Sequence, residues 1–180
     1  MRSLLLRTAV SLTAAFMALP VLACSFPSPP PFDRQLLTAP SVFVFRIDSL
    51  AMTPGSRSDS GELAGRLRVV RVLKGKAPSI QYLSFPIGWC GGLHLDVGHY
   101  YVVATSQTGR TLQLWPGDLS VLDLGGTVSP LLTPRSRDQH RILAKIDVVL
   151  KTGKAPSGFP SEEEVSRTTV VSPAPPRPAR

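Results

Sequence analysis

Apolar residues recur at strand period through the middle of the chain and at helical period near its end. Val42-Phe43-Val44-Phe45-Arg46-Ile47 is β-branched and aromatic, and its near-continuous apolar run predicts a strand buried on both faces. Leu67 to Leu73 predicts a second strand with a break in parity. Leu67 and Val69 fall on one face with Arg66 and Arg68 opposite, yet Val70 and Val72 fall on the other parity, so a β-bulge at Val69–Val70 is expected to bring all four inward. Three shorter runs follow at Ile80–Phe85, Tyr100–Ala104 and Leu112–Trp115. Polar, Gly- and Pro-bearing stretches at 54–61, 74–78, 88–92, 97–99 and 107–109 separate the runs. Five short strands at this spacing predict a small all-β barrel or sandwich.

The pattern changes at Thr133. Ser136 and Gln139 have the spacing of a capping box, Ile142, Leu143, Ile146, Val149 and Leu150 line one helical face, and Gly153 can end the helix. This stripe is of the width that docks a helix on a core, so residues 129–153 are read as a linker and an amphipathic helix packed on residues 24–128. Residues 154–180, rich in Pro, Ser and charge with Glu162-Glu163-Glu164 in their midst, are read as a disordered tail. At the other end, Cys24-Ser25-Phe26-Pro27-Ser28-Pro29-Pro30-Pro31 must be extended, because each proline fixes its own φ and restricts its predecessor. A short helical turn is expected over Phe32–Leu37, with Pro31 suited to its first position.

Residues 1–23 have the form of an export signal. Arg2 and Arg7 flank Leu4-Leu5-Leu6, an apolar run extends from Ala9 to Leu22, and Val21 and Ala23 suit cleavage before Cys24. The run is too short for a transmembrane anchor. Acylation of Cys24 as a lipoprotein is the alternative, although bulky Leu22 fits that signal poorly. Removing Arg2 and Arg7 with the signal takes the formal net charge from +8 to +6. The basic residues are spread along the chain, which allows attraction to acidic surfaces without defining a nucleic-acid site. The sequence holds no Asn, hence no N-glycosylation sequon. In an oxidising compartment the two cysteines, Cys24 and Cys90, are expected to form a disulfide; the alternative is two unpaired thiols. A loop of about 65 residues closed in this way contributes roughly 4 kcal/mol on the chain-entropy model.

Three features together resemble the tissue inhibitors of metalloproteinases and the wider netrin-like domain. They are Cys24-Ser25 followed by prolines, the strand pair Val42–Ile47 and Arg66–Gly75, and Cys90-Gly91-Gly92-Leu93-His94-Leu95-Asp96-Val97-Gly98 followed by Tyr101-Val102-Val103-Ala104. The similarity spans roughly residues 24–118. It implies a five-stranded OB-type barrel and a Cys24–Cys90 pair tying the N-terminal arm to the loop after the third strand. It also implies an exported, secreted or periplasmic monomer that binds a protein partner, a zinc metalloprotease, and has no cofactor of its own. In that family the α-amine and carbonyl of the first Cys chelate the partner's zinc while the next side chain enters the substrate pocket. Carried over, Cys24 supplies both atoms and Ser25 enters the pocket. The family's second N-terminal Cys is Phe26 here and its partner falls at Trp115, so these two are expected to pack together. A third family cysteine falls at Thr38. An envelope lipoprotein adaptor anchored at Cys24, without inhibition, is the alternative.

Other chemistry is set aside at this level. His94, Asp96 and His99 lie close in sequence, but their spacing suits no compact metal motif, and Asp96 is expected to fix the turn before Gly98. His140 falls on the polar side of the predicted helix. No Ser or Cys nucleophile has a visible base, so no enzyme is expected. Tyr82, Phe85 and Trp89 could stack on nucleic acid, but in an exported strand-rich domain Tyr82 and Phe85 read better as core residues.

Overall fold

The computed structural model describes residues 29–54, 61–87, 92–115, 119–127 and 137–170. The chain enters through α1 (Phe32–Thr38) and passes into two long strands, β1 (Ser41–Pro54) and β2 (Gly61–Lys74). Then come β3 (Tyr82–Ile87), β4 (Gly92–Leu93), β5 (Tyr100–Thr105), β6 (Thr111–Gln113) and β7 (Val121–Asp123). It ends with α2 (Arg137–Thr152), α3 (Glu162–Ser166) and β8 (Thr169–Val170). Six strands form one mixed sheet in the order β6-β3-β2-β1-β5-β7, in which only the β3–β6 pair is parallel. β4 and β8 form a separate two-stranded ribbon.

The protein is β-rich, but the expected five-stranded barrel is not closed by its ladders. The cause lies at two edges. The outer edge of β5, where a barrel would place β6, is taken by β7 in the register Tyr101↔Asp123, Val102↔Leu122, Val103↔Val121. The free edge of β6 is met by a side chain instead of a strand. The Gln107 amide donates to the Gln113 carbonyl at 2.7 Å and accepts from its N–H at 2.8 Å, satisfying both groups.

β1 is buried on both faces because each parity has its own core. Val42 and Val44 join Val102, Ala104, Leu122 and Leu124 beneath α1 and α2, while Phe43, Phe45 and Ile47 join Leu83, Phe85, Tyr101, Val103 and Leu112 on the other side. Burial of a side chain of this size contributes about 1.5–3 kcal/mol. The bulge in β2 falls at Val70, which is skipped between the pairs Phe45↔Val69 and Val44↔Arg71, and a second skip occurs at Leu73. The expected consequence needs correcting. Leu67, Val69 and Val72 share the Phe45 side, whereas Val70 packs with Leu73 on the helix side, so the bulges divide these side chains between two cores. A third irregularity brings the backbone very close at Gly65, where an added Cβ would stand 1.9 Å from the Ser49 carbonyl oxygen.

α2 covers the helix-side core with Ile142, Leu143, Ile146 and Val149, the residues its sequence period selects. Its expected cap residue Ser136 lies outside the described residues. Of residues 154–180, read as a disordered tail, 154–170 instead form a strap, and 171–180 lie outside the described residues. Phe159 is buried with its ring edge-on to Phe32 at 6.2 Å, and α3 opens with a complete Ser161–Glu164 capping box. β8 pairs with β4, and Thr168 is buried. No helix among the described residues is long and apolar enough to cross a membrane.

Candidate functional site

The residues expected at a partner-binding edge, Cys24 and Ser25, lie outside the described residues, as do Phe26 and both cysteines of the expected Cys24–Cys90 pair. The root of the arm is described. Gln35 donates from its side-chain amide to the Pro30 carbonyl at 2.7 Å and from its backbone to Pro31 at 3.1 Å, and Phe32 is buried. The Lys74 ammonium donates to the Leu36 and Leu37 carbonyls at 3.1 and 2.7 Å, satisfying the end of α1 with a cation where its dipole favours one. Beyond residues 88–91, β4 is gripped by β8, and the His94 N–H donates to the Thr168 carbonyl at 2.9 Å. Both segments that carry the cysteines thus adjoin anchored structure.

Asp96 and Gly98 build a tight turn. The Asp96 carbonyl accepts from the His99 N–H at 3.3 Å, with Gly98 at φ +88°, a conformation that favours glycine, and the Gly98 N–H donates to the Ile47 carbonyl at 2.7 Å. The Asp96 carboxylate instead meets His94 Nε2 at 3.1 Å, while its backbone N–H donates to the Tyr101 hydroxyl at 2.7 Å. Burial holds the Tyr101 phenol well above its ordinary pKa, against the opposing pull of that bond from Asp96, and the carboxylates of Asp123 and Asp96 add to the rise. His99 turns away toward Asp123, its Nδ1 lying 3.8 Å from a carboxylate oxygen and beyond hydrogen-bond reach. The other Asp123 oxygen accepts from Gly125. His94, Asp96 and His99 therefore do not converge, and among the described residues no group of three or more His, Cys, Asp or Glu is placed to share a metal ion. His140 is exposed.

Trp115, assigned to pack on Phe26, is 63% exposed. Phe85 is core, Tyr82 is half-buried, and Trp89 lies outside the described residues. The most charged arrangement in the fold is one the sequence reading did not assemble. The register pairs Arg46 with Arg68 across β1–β2 and Arg66 with Tyr82 across β2–β3, and sets Tyr82 beside Thr111 of β6, next to Arg110. The Asp48 carboxylate accepts from Arg46 at 2.7 Å and from Arg68 at 3.3 Å, while Arg66 and Arg110 both lie over the Tyr82 ring at 5.9 and 5.8 Å. The signal was present in the alternation Arg66-Leu67-Arg68 opposite Arg46, but its partners come from strands that only the register brings together.

No family model and no curated protein matches the sequence. The netrin-like resemblance thus rests on the motif residues, of which Leu93–Gly98 and Tyr101–Ala104 lie in or beside the Asp96–His99 turn and β5.

Proposed function

We propose that the chain is an exported, non-enzymatic binding domain that engages a protein partner through the edge bearing Cys24 and Ser25. A zinc metalloprotease is the partner class that the netrin-like resemblance implies. One observation supports this reading above the others: in the open sheet β6-β3-β2-β1-β5-β7, the first five strands, with β3 and β6 parallel, follow the order expected of an OB-type barrel, although β7 takes the edge at which such a barrel would close. An arm rooted by Phe32 and Gln35 at one end of such a sheet loses little conformational entropy on binding. In this reading a Cys24–Cys90 disulfide holds the arm, and the Cys24 amine and carbonyl approach the partner's zinc.

Intact-mass measurement of the exported protein comes first. A mass two hydrogens below the reduced chain cleaved before Cys24, restored by reductant, supports the reading, whereas an added lipid mass favours the anchored adaptor. Titration against a panel of zinc proteases then tests the mechanism. Inhibition abolished by one extra residue before Cys24 is the expected result. Absent inhibition, or potency indifferent to that residue, removes the zinc clamp.

A further inference from the structure

We propose that the outer face of β1, β2, β3 and β6 is a binding surface for an acidic polysaccharide. Arg46, Arg66, Arg68 and Tyr82 occupy adjacent strands on this face and Arg110 immediately precedes β6, so with strands about 4.8 Å apart the row crosses about 15 Å of sheet. Four guanidinium groups stand here against two carboxylates, Asp48, which bridges Arg46 and Arg68, and Glu62, which lies two strand positions past Ala64 beside Pro86. Among the described residues, neither Arg66 nor Arg110 has a carboxylate within ion-pair distance; Arg110 donates to the neutral Gln81 amide at 2.7 Å. Asp48 offsets the cross-strand repulsion of Arg46 and Arg68, whereas Arg66 and Arg110 converge on one ring with no such bridge, an arrangement explained better by a ligand than by stability. The Tyr82 ring beneath Arg66 and Arg110 limits how far those side chains wander, which lowers the entropy lost on binding an anion.

The shape points to a chain rather than to a small molecule. Two shallow grooves share this face, one along Asp48, Arg66, Gln81 and Tyr82, the next along Glu62, Ser84, Pro86, Gln113 and the exposed Trp115, so the arginine end takes the anionic groups and the Trp115 end a sugar ring. An exposed indole beside proline offers a flat apolar platform for a sugar ring, and the Gln81, Ser84 and Gln113 side chains can bond hydroxyls. The arginines fork onto carboxylates or sulfates along the polymer. A nucleic acid carries similar charge; the choice of polysaccharide rests on the export proposed above from the sequence of residues 1–23, and is independent of the Cys24 edge.

Calorimetric titration of the full exported chain with polygalacturonate, neutral dextran and single-stranded oligothymidylate, at about 150 mM salt, tests this. Polygalacturonate is expected to bind, and to bind more weakly as salt rises, while dextran does not. The double variant Arg66→Gln/Arg110→Gln should bind about tenfold more weakly. Trp115→Ala should also weaken binding, while Arg34→Gln/Lys151→Gln, with the same charge change elsewhere on the surface, should leave it unaltered. Melting curves check the fold of each variant. Equal losses in the two double variants, tighter binding of the oligonucleotide, or no binding of polygalacturonate would each overturn the proposal.

Discussion

The C-terminal strap and the outer arginine row are both rich in charge, yet they partner it in opposite ways. In the strap Glu164 is 4% exposed and accepts from the Ser161 N–H at 2.8 Å and from Lys145 at 3.1 Å, and that same ammonium lies over the buried Phe159 ring. Its charge is enclosed and fully bonded. The row leaves Arg66 and Arg110 stacked on an aromatic ring at the surface, without a carboxylate among the described residues. Charge that is buried and matched serves the fold, because an unmatched buried ion is costly. Charge that is exposed and unmatched contributes little to the fold and is available to a partner.

The largest effect that would test this contrast is on the strap. Phe159→Ala removes a ring 6% exposed that meets Phe32 edge-on and lies 5.4 Å from the Lys145 ammonium. The expected loss is about 3 kcal/mol, seen as a fall in melting temperature on the order of 10 °C. A fall of less than about 2 °C would mean that the strap is dispensable and that the comparison fails on its structural side.

Why the strap was not legible in the sequence is instructive. Composition over residues 154–180 is that of a solvated segment, and the strap's stability comes from a few specific events: one ring in a core, one capping box and one ion pair to a neighbouring helix. Only the Ser161–Glu164 spacing carried a local signal. By contrast, β1 and α2 are legible because their burial is periodic, Val42 to Ile47 filling both cores and Ile142 to Val149 one face. β7 escaped notice because three residues, Val121 to Asp123, are too few to show a period, and its pairing with β5 changes a closed barrel into an open sheet. At the candidate site Asp96 and Gly98 showed their turn locally, whereas the arginine row required the register of four strands.

A smaller effect is expected from Glu164→Gln, about 1–2 kcal/mol, since glutamine keeps part of the cap but loses the ion pair with half-exposed Lys145. Its pH dependence separates charge from packing. Burial pushes the Glu164 carboxyl up, but the bonds from Ser161 and Lys145 outweigh it and hold the folded pKa below the ordinary glutamate value. The charged form is therefore the one the fold favours. Its contribution is complete above about pH 4.5 and is lost as the pH falls through the folded value. Wild type and variant should converge in stability in acid. A gap that stays constant between about pH 6 and pH 3 would assign the effect to packing alone.

The smallest stability change belongs to the row. Arg66→Gln and Arg110→Gln each remove a contact over the Tyr82 ring worth about 0.5–1 kcal/mol at an exposed site, while relieving repulsion among neighbouring guanidinium groups. Those contributions oppose each other, so each variant should melt within about 0.5 kcal/mol of wild type in chemical denaturation. The outcome matters because of its pairing with the binding experiment. Near-zero stability change together with weaker polyanion binding places the row outside the folding requirement. A loss of 2 kcal/mol or more, roughly what Glu164→Gln produces in the strap, would show that the Arg–Tyr–Arg stack holds β3 to β2 and β6. The two charged regions would then be doing the same job, and exposure without a carboxylate partner would not distinguish a binding surface from a structural one in this fold.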